Sequence, residues 1–284
     1  MRSRSFDLLA TSIAPIVWGS TYIVTTEFLT GFSPITIAML RALPAGLLLL
    51  LMVRQLPAGV WWLRSFILGM LNISFFLSML FISAHRLPGG VAATVLSVQP
   101  LIVVFLASVV FFSPVRPMSV FAVLAGIAGV ALLVLTPGAT LDVIGIMAGL
   151  AGATSMALGT VLTRKWQPPV SLLTFTAWQL TAGGLLLIPV VALFEPSIPL
   201  PNGTNLLGLI WLGLIGAAVT YALWFRGISR LDSSVVSPLL FLSPVTAMIL
   251  GWIFLDQTLT ALQIIGAGFV IGSIWLSQHA NRTQ

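Results

Sequence analysis

The chain has 284 residues, of which 58% are hydrophobic and only 6% are charged. Soluble domains usually carry about 25% charged residues, so this composition excludes an ordinary soluble protein and indicates that lipid surrounds most of the surface. The net charge is +6, yet the basic residues stand between apolar runs, a pattern typical of membrane orientation and not of nucleic-acid binding. Because the chain has no cysteine and only two histidines, we expect no disulfide, no metal site and no cofactor.

Apolar runs between polar, proline or glycine residues predict ten transmembrane helices. Each helix needs about 20 mostly apolar residues to cross about 30 Å of hydrocarbon. The first run follows Arg2 and Arg4, as a signal peptide would, but it is longer than a typical signal core and no cleavage site follows it. We therefore predict that it is retained. In chain order the predicted spans are residues 8–28, 34–53, 65–84, 90–111, 118–136, 143–163, 171–194, 205–226, 234–255 and 260–278.

The basic residues predict the orientation of these spans. Arg41 lies inside the second span, and Arg86 alone falls on the side opposite the N-terminus. Since cytoplasmic loops carry the excess of lysine and arginine, both termini are predicted to be cytoplasmic. The residues on the side of the N-terminus are Arg2, Arg4, Arg54, Arg64, Arg116, Arg164, Lys165, Arg226, Arg230 and Arg282.

An internal repeat divides the chain into two halves. A shift of 144 residues aligns Leu68–Phe112 with Leu212–Asp256 without a gap, so that Pro100 meets Pro244. Each half, residues 1–137 and 138–284, then holds five spans, and an odd number forces the second half to enter the membrane in reverse. The predicted fold is an all-α membrane protein of ten transmembrane helices in two inverted five-helix repeats. This design commonly places a substrate site near mid-membrane, between the repeats.

Short segments in both halves resemble the drug/metabolite transporter superfamily, specifically its ten-span members built from two EamA-type domains. The resemblance implies export of metabolites, such as amino acids or amphipathic compounds, across a bacterial inner membrane. The family commonly ends the fourth span of each half with an acidic residue; Asp256 fits, but Phe112 stands at the equivalent position. The segments are Trp18-Gly19-Ser20-Thr21, Arg41, Arg86 through Pro100-Leu101, Gly159, Arg230 through Pro244, Leu255-Asp256-Gln257 and Gln263-Ile264-Ile265-Gly266.

Arg41 is the outstanding polar residue within a predicted span. Ionisable groups at membrane depth are costly and need a partner, water or a ligand. A structural interpretation is that Arg41 reaches toward the surface or pairs with Glu27. A functional interpretation is that its guanidinium anchors a substrate carboxylate in bidentate geometry. The sequence leaves both interpretations open.

Other polar and aromatic side chains predict a mid-membrane cavity lined by spans 1, 3, 4, 6, 8 and 9. Asn72 and Phe76 share one helical face, because residues four apart do so, and Thr220 and Trp224 do the same in span 8. Packing or hydrogen bonds between helices would also explain these side chains. The complete set of predicted substrate-binding residues is Trp18, Thr21, Tyr22, Arg41, Asn72, Phe76, Gln99, Thr220 and Trp224.

Together these features predict a transporter, and not an enzyme, that moves a small molecule through the bilayer by alternating access as a monomer or homodimer. The chain contains no GxxxxGK[ST] phosphate loop, so we expect no ATP hydrolysis. Facilitated diffusion, exchange and proton antiport through Glu27, His85 or Asp256 all remain open. The alternatives are an intramembrane lipid-modifying enzyme and a membrane partner protein that transports nothing.

Overall fold

The described part of the chain is helical throughout and contains no strand, in agreement with the predicted all-α class. The computed structural model describes residues 2–87, 95–112, 114–134, 142–195, 198–256 and 260–280. The helices are α1 (Arg2–Gly19), α2 (Thr21–Phe28), α3 (Pro34–Val53), α4 (Trp61–Gly69), α5 (Phe75–Arg86), α6 (Gln99–Phe111), α7 (Pro117–Val134), α8 (Val143–Lys165), α9 (Leu172–Phe194), α10 (Gly203–Ile210), α11 (Thr220–Arg230), α12 (Ser233–Val236), α13 (Leu242–Phe254) and α14 (Ala261–Ala280).

Several of these helices run on into one another. A π-helical stretch, Met70–Ser74, joins α4 to α5, and a second one, Trp211–Val219, joins α10 to α11. A 3₁₀ stretch, Ser237–Phe241, joins α12 to α13. Such interruptions change the number of residues per turn and therefore alter which side chains share a face.

Eight of the resulting continuous helices are long and apolar enough to cross a membrane, so the chain is a multi-pass membrane protein. Two further apolar stretches, Gln99–Phe111 and Pro117–Leu133, are shorter. Each of the ten overlaps a predicted span, although the first helix begins at Arg2, ahead of residue 8. Residues 90–94 of the fourth predicted span and 135–136 of the fifth lie outside the described residues. The eight long helices are Arg4–Phe28, Pro34–Val53, Trp61–Leu80, Val143–Lys165, Leu172–Phe194, Gly203–Arg230, Ser233–Phe254 and Ala261–His279.

The most extensive packing joins helices of the first half to helices of the second. α3 packs on α9, α7 on α14, α5 on α8 and α1 on α11. Between α3 and α9 the backbones nearly touch: a Cβ atom at Gly46 would lie 2.4 Å from the amide nitrogen of Thr181, and one at Gly184 would lie 2.6 Å from Cα of Leu43. Small residues permit this approach, which strengthens van der Waals packing between membrane helices.

Local backbone conformations recur 144 residues apart. α5 ends at Arg86 and α11 ends at Arg230, and an extended leucine follows each. Phe112 and Asp256 both adopt the left-handed conformation, with φ of 53° and 51°. Left-handed backbone is uncommon for residues other than glycine, so this agreement is informative. The π-helical stretches also overlap under the same shift.

We expect Gly46→Ala to destabilise the protein, because the added methyl group would press on the backbone of α9. Overpacking of this kind typically costs about 1–3 kcal/mol of unfolding free energy. Gly272→Ala in α14 is the matched control, since nothing lies within 4 Å of a Cβ atom there. Thermal unfolding midpoints in one detergent would compare the two variants, and equal shifts would contradict the close contact.

Candidate functional site

A cavity of about 380 Å³ opens between helices of both halves. Most of its walls are apolar or hydroxyl-bearing, and Arg41 is the one charged side chain among the described residues that line it. Every span that was predicted to line it contributes, and α3 and α7 contribute as well. The lining residues are Trp18, Thr21, Thr25, Thr26, Pro34, Arg41, Phe76, Leu77, Leu80, Leu96, Ser97, Gln99, Pro100, Val130, Met156, Tyr221, Leu240, Phe241, Ser243 and Pro244.

Trp18 forms an aromatic wall of the cavity at the end of α1. Its ring packs on Tyr221, at 5.2 Å between centroids, and on Trp224, at 5.4 Å. Its indole Nε1 donates to the Thr220 hydroxyl at 2.9 Å and to the Gly216 carbonyl oxygen at 3.1 Å. Ring packing and two hydrogen bonds therefore hold Trp18 in its place in the cavity lining.

The carbonyl oxygen of Gly216 is the polar centre of this wall. It accepts a hydrogen bond from Nη2 of Arg41 at 2.6 Å, from the Thr220 hydroxyl at 2.8 Å and from Trp18. Gly216 lies within the π-helical stretch Trp211–Val219, where the regular α-helical bonding is interrupted. A single backbone oxygen therefore orients three side chains from three different helices.

Arg41 lies seven residues into α3, about 10 Å along the helix axis from Pro34 at 1.5 Å per residue. Only 8% of the residue is exposed. Its Nη1 is 3.5 Å from the Thr21 hydroxyl, and its Nε has no hydrogen-bond partner in the described structure. No carboxylate of a described residue, Glu27 included, lies within 4.0 Å of it, so the possible pairing with Glu27 is wrong. The guanidinium of Arg41 therefore interacts with a backbone carbonyl and otherwise faces the cavity that it lines.

Gln99 and Ser243 occupy corresponding places at two helix starts beside the cavity. α6 begins at Gln99, and Pro100 is its second residue; Ser243 and Pro244 lie at the beginning of α13, directly after the 3₁₀ stretch. Both prolines therefore stand just inside the start of a helix, where the missing amide hydrogen costs least. Gln99 is 6% exposed, and its side-chain nitrogen has no partner among the described residues.

Asn72 lies outside the cavity lining, in a fully buried polar cluster. Its side-chain nitrogen donates to the Gln179 side-chain oxygen at 2.8 Å and to the Thr163 hydroxyl at 3.2 Å. A Cβ atom at Gly159 would lie 2.0 Å from the Asn72 side-chain oxygen. The amide therefore joins α8 and α9 to the π-helical stretch of the first half, and Gly159 leaves room for it.

Of the nine predicted site residues, five line the cavity. Three others, Asn72 among them, do not line it, and the side chain of the ninth is not described. Thr220 and Trp224 are fully buried behind the wall and support Trp18. The side chain of Tyr22 lies outside the described part of the structure. The five that the structure brings together are Trp18, Thr21, Arg41, Phe76 and Gln99.

Two functional groups escaped the sequence reasoning: the ring of Tyr221 and the carbonyl of Gly216. Thr220 and Trp224 share the buried face of α11, as their four-residue spacing predicts, and their neighbour Tyr221 lines the cavity. In the first half, the π-helical stretch that contains Asn72 separates it from Phe76, which lines the cavity. The Gly216 carbonyl has no side-chain signature at all. Only the pair Gly213 and Gly216 hints that another helix comes near.

Two segments of the chain, residues 5–135 and 143–278, match the model of the EamA-like transporter family. The chain belongs to this family. Protein PecM of Dickeya dadantii is 44% identical over 93% of the chain and 90% of that protein. The uncharacterized inner membrane transporter YedA of Escherichia coli is 26% identical over 92% of the chain and 87% of that protein. One solved structure, described only as "Crystal structure of protein", shares the fold with a TM-score of 0.83 at 21% identity, and the match covers 97% of this chain and 98% of that one.

Family and fold together make the chain an EamA-family membrane transporter. The two matched segments meet close to the proposed boundary between residues 137 and 138. The cavity described above lies between helices of both segments, and the residues that build it come from positions 18 to 244.

We expect Asn72→Leu to lower the unfolding free energy of this EamA transporter by about 1–3 kcal/mol, because Gln179 and Thr163 would keep buried polar atoms without a partner. Adding Gln179→Met should recover part of the loss, since both polar groups are then gone. Unfolding midpoints of the single and double variants test this. Ligand affinity should stay unchanged, and a large loss of affinity would instead return Asn72 to the binding site.

Proposed function

We propose that this EamA-family transporter exports small amphipathic metabolites across a bacterial inner membrane by alternating access, as a monomer or homodimer. The observation that carries the proposal is the cavity, which combines an aromatic wall at Trp18 and Tyr221 with one buried charge at Arg41. Ligand sites typically have mostly apolar walls and a few placed polar groups. The amphipathic character of the proposed cargo follows from that mixture.

Ten spans in two inverted repeats are the architecture that we propose for this activity. The left-handed residues Phe112 and Asp256 support it, because they are equivalent under the 144-residue shift. Ser33 and Ser171 support it too: each caps the start of a helix by accepting from the amide three residues on. The helix packing supports it as well. In the proposed repeat α1 is equivalent to α8 and α5 is equivalent to α11, so a two-fold axis would turn the contact of α5 with α8 into the contact of α11 with α1, and both contacts are present.

The proposed orientation, with both termini in the cytoplasm, agrees with the ion pairs that join helix ends. Asp7 lies 2.8 Å from Arg226 at the end of α11, and Arg164 lies 2.6 Å from Asp232. All four belong to the side that is rich in basic residues. A weaker contact on the opposite side, 3.7 Å between Arg86 and Asp142, joins the end of α5 to the start of α8.

Transport explains the molecule better than the two alternatives. YedA is named as an inner membrane transporter, and a family of transporters favours the same role here over a lipid-modifying enzyme. A membrane partner protein would not need a cavity that holds a buried charge. The three groups named for proton antiport gain no support from the cavity: Glu27 and Asp256 are exposed and do not line it, and the side chain of His85 lies outside the described part of the structure.

We expect purified protein in liposomes to be sufficient for flux of an amphipathic metabolite. Trp18→Ala should lower the initial rate about tenfold, because it removes part of the wall and about 1.4 kcal/mol of interaction corresponds to a factor of ten. Trp252→Ala is the matched control, since Trp252 is exposed on α13 and lines no part of the cavity. If well-folded protein produced no flux of any tested metabolite, the transport proposal would be wrong. If the two variants had equal rates, the cavity would not be the transport site.

We expect a reporter fused after Gln284 to be active only in the cytoplasm. Both termini are predicted to lie on the side of the membrane where the lysine and arginine residues are in excess, and that side is the cytoplasmic one. A reporter inserted at Gly31, in the turn between α2 and α3, should signal from the external side. The two reporters control each other, since the inverted topology requires opposite results. The same location for both would contradict it.

A further inference from the structure

We infer that the cavity binds an organic monoanion with a flat apolar body, and that it disfavours the zwitterion of an amino acid. The inference rests on the proposed transport function and names the chemical class of its cargo. It follows from three features of the described lining: a charge without a counter-charge, a buried amide nitrogen without an acceptor, and the absence of a carboxylate.

The first feature is the unbalanced charge of Arg41. A charged side chain at membrane depth normally pairs with an opposite charge, with water or with backbone carbonyls. Arg41 has one short bond to the Gly216 carbonyl and a long contact of 3.5 Å to Thr21. Its guanidinium has five donors in a planar fork, so much of its capacity remains for a carboxylate, which fits that fork with two parallel hydrogen bonds.

The second feature is a buried hydrogen-bond donor that has no acceptor. The side-chain nitrogen of Gln99 is buried and has no partner among the described residues. Gln99 lines the cavity together with Arg41. Buried donors in native proteins are nearly always satisfied. A ligand oxygen would satisfy this nitrogen, whereas a ligand ammonium would not.

The third feature is where the acidic residues lie. The chain has six, and all of them are within the described residues: Asp7, Glu27, Asp142, Glu195, Asp232 and Asp256. None of the six lines the cavity. An α-amino acid would bring an ammonium group beside its carboxylate, and that ammonium would lose its water without gaining a counter-charge. Arg41 supplies a single positive charge, so a dianion would keep one negative charge without a partner in the cavity.

The walls define the rest of the ligand. Trp18 and Tyr221 present aromatic surfaces 5.2 Å apart between centroids, and Phe76 adds a third ring. Known ligand pockets span about 300–1,000 Å³, and the cavity of about 380 Å³ lies near the lower end of that range. The expected body is therefore one or two flat rings.

Three matched probes test the inference by equilibrium binding to the purified transporter in lipid nanodiscs. The probes are 3-phenylpropionate, its neutral amide, and phenylalanine, which is the same carboxylate with an added ammonium group. We expect 3-phenylpropionate to bind about tenfold more tightly than either of the others, because the amide lacks the charge that pairs with Arg41 and phenylalanine adds an ammonium group without a partner. Comparison within one protein needs no variant that might fail to fold.

Substitutions then assign the preference to Arg41. Arg41→Gln removes the charge but keeps a donor for the Gly216 carbonyl, so the amide should bind as before while the preference for 3-phenylpropionate disappears. Arg41→Lys should retain only part of the preference, because an ammonium lacks the planar fork. Arg54→Gln is the matched control, since Arg54 follows the same helix α3 on the exposed surface and its charge lies outside the cavity. That variant should bind all three probes like the wild type.

Equal affinity of the wild type for 3-phenylpropionate and its amide, tighter binding of phenylalanine, or no binding of 3-phenylpropionate would each overturn the inference. A preference that survives in Arg41→Gln would overturn the role of Arg41. Failure of the transport proposal would look different, because the carboxylate would then bind selectively while liposomes show no flux. Flux of an amide or an amino acid in preference to the anion would leave transport intact and remove the anion site.

Discussion

The hydrogen bond between Arg41 and the Gly216 carbonyl is the interaction on which the cavity depends. A guanidinium in a membrane-spanning helix needs an acceptor, and the structure supplies a backbone oxygen instead of a carboxylate. The same oxygen accepts from Trp18 and Thr220, so the position of the charge and the position of the aromatic wall are set together. Because the acceptor is neutral, the positive charge remains uncompensated where the cavity begins.

The fold was largely predictable from the sequence, because a bilayer constrains helices by length and hydropathy, and each apolar run had one plausible structure. The site was predictable only in part. Trp18, Arg41 and Gln99 were found because polar or aromatic groups in apolar runs stand out. Tyr221 was missed because the pattern of a largely apolar span does not fix the rotation of the helix about its axis. In the structure, Tyr221 lines the cavity, and Thr220 and Trp224 lie buried behind it.

Under the proposed repeat, the two halves place different chemistry at equivalent positions. The caps Ser33 and Ser171 are 138 residues apart, and that shift takes Arg41 to Gln179, while the 144-residue shift takes Asn72 to Gly216. Each pair joins the two halves: Arg41 and Gly216 set a guanidinium against a carbonyl at the cavity, and the equivalent residues Gln179 and Asn72 set two amides against each other in a buried cluster. Equal backbone geometry thus supports a binding surface on one side and a purely internal contact on the other.

The contacts at Gly46 and Gly184 have a mechanical consequence. Because the two backbones approach so closely at both positions, sliding α3 along α9 would bring backbone atoms into steric clash, so we expect these two helices to move as one unit. Arg41 belongs to that unit, whereas Gly216 lies in the π-helical stretch that leads into α11. A rearrangement that shifts α11 relative to α3 would therefore have to break the guanidinium–carbonyl hydrogen bond.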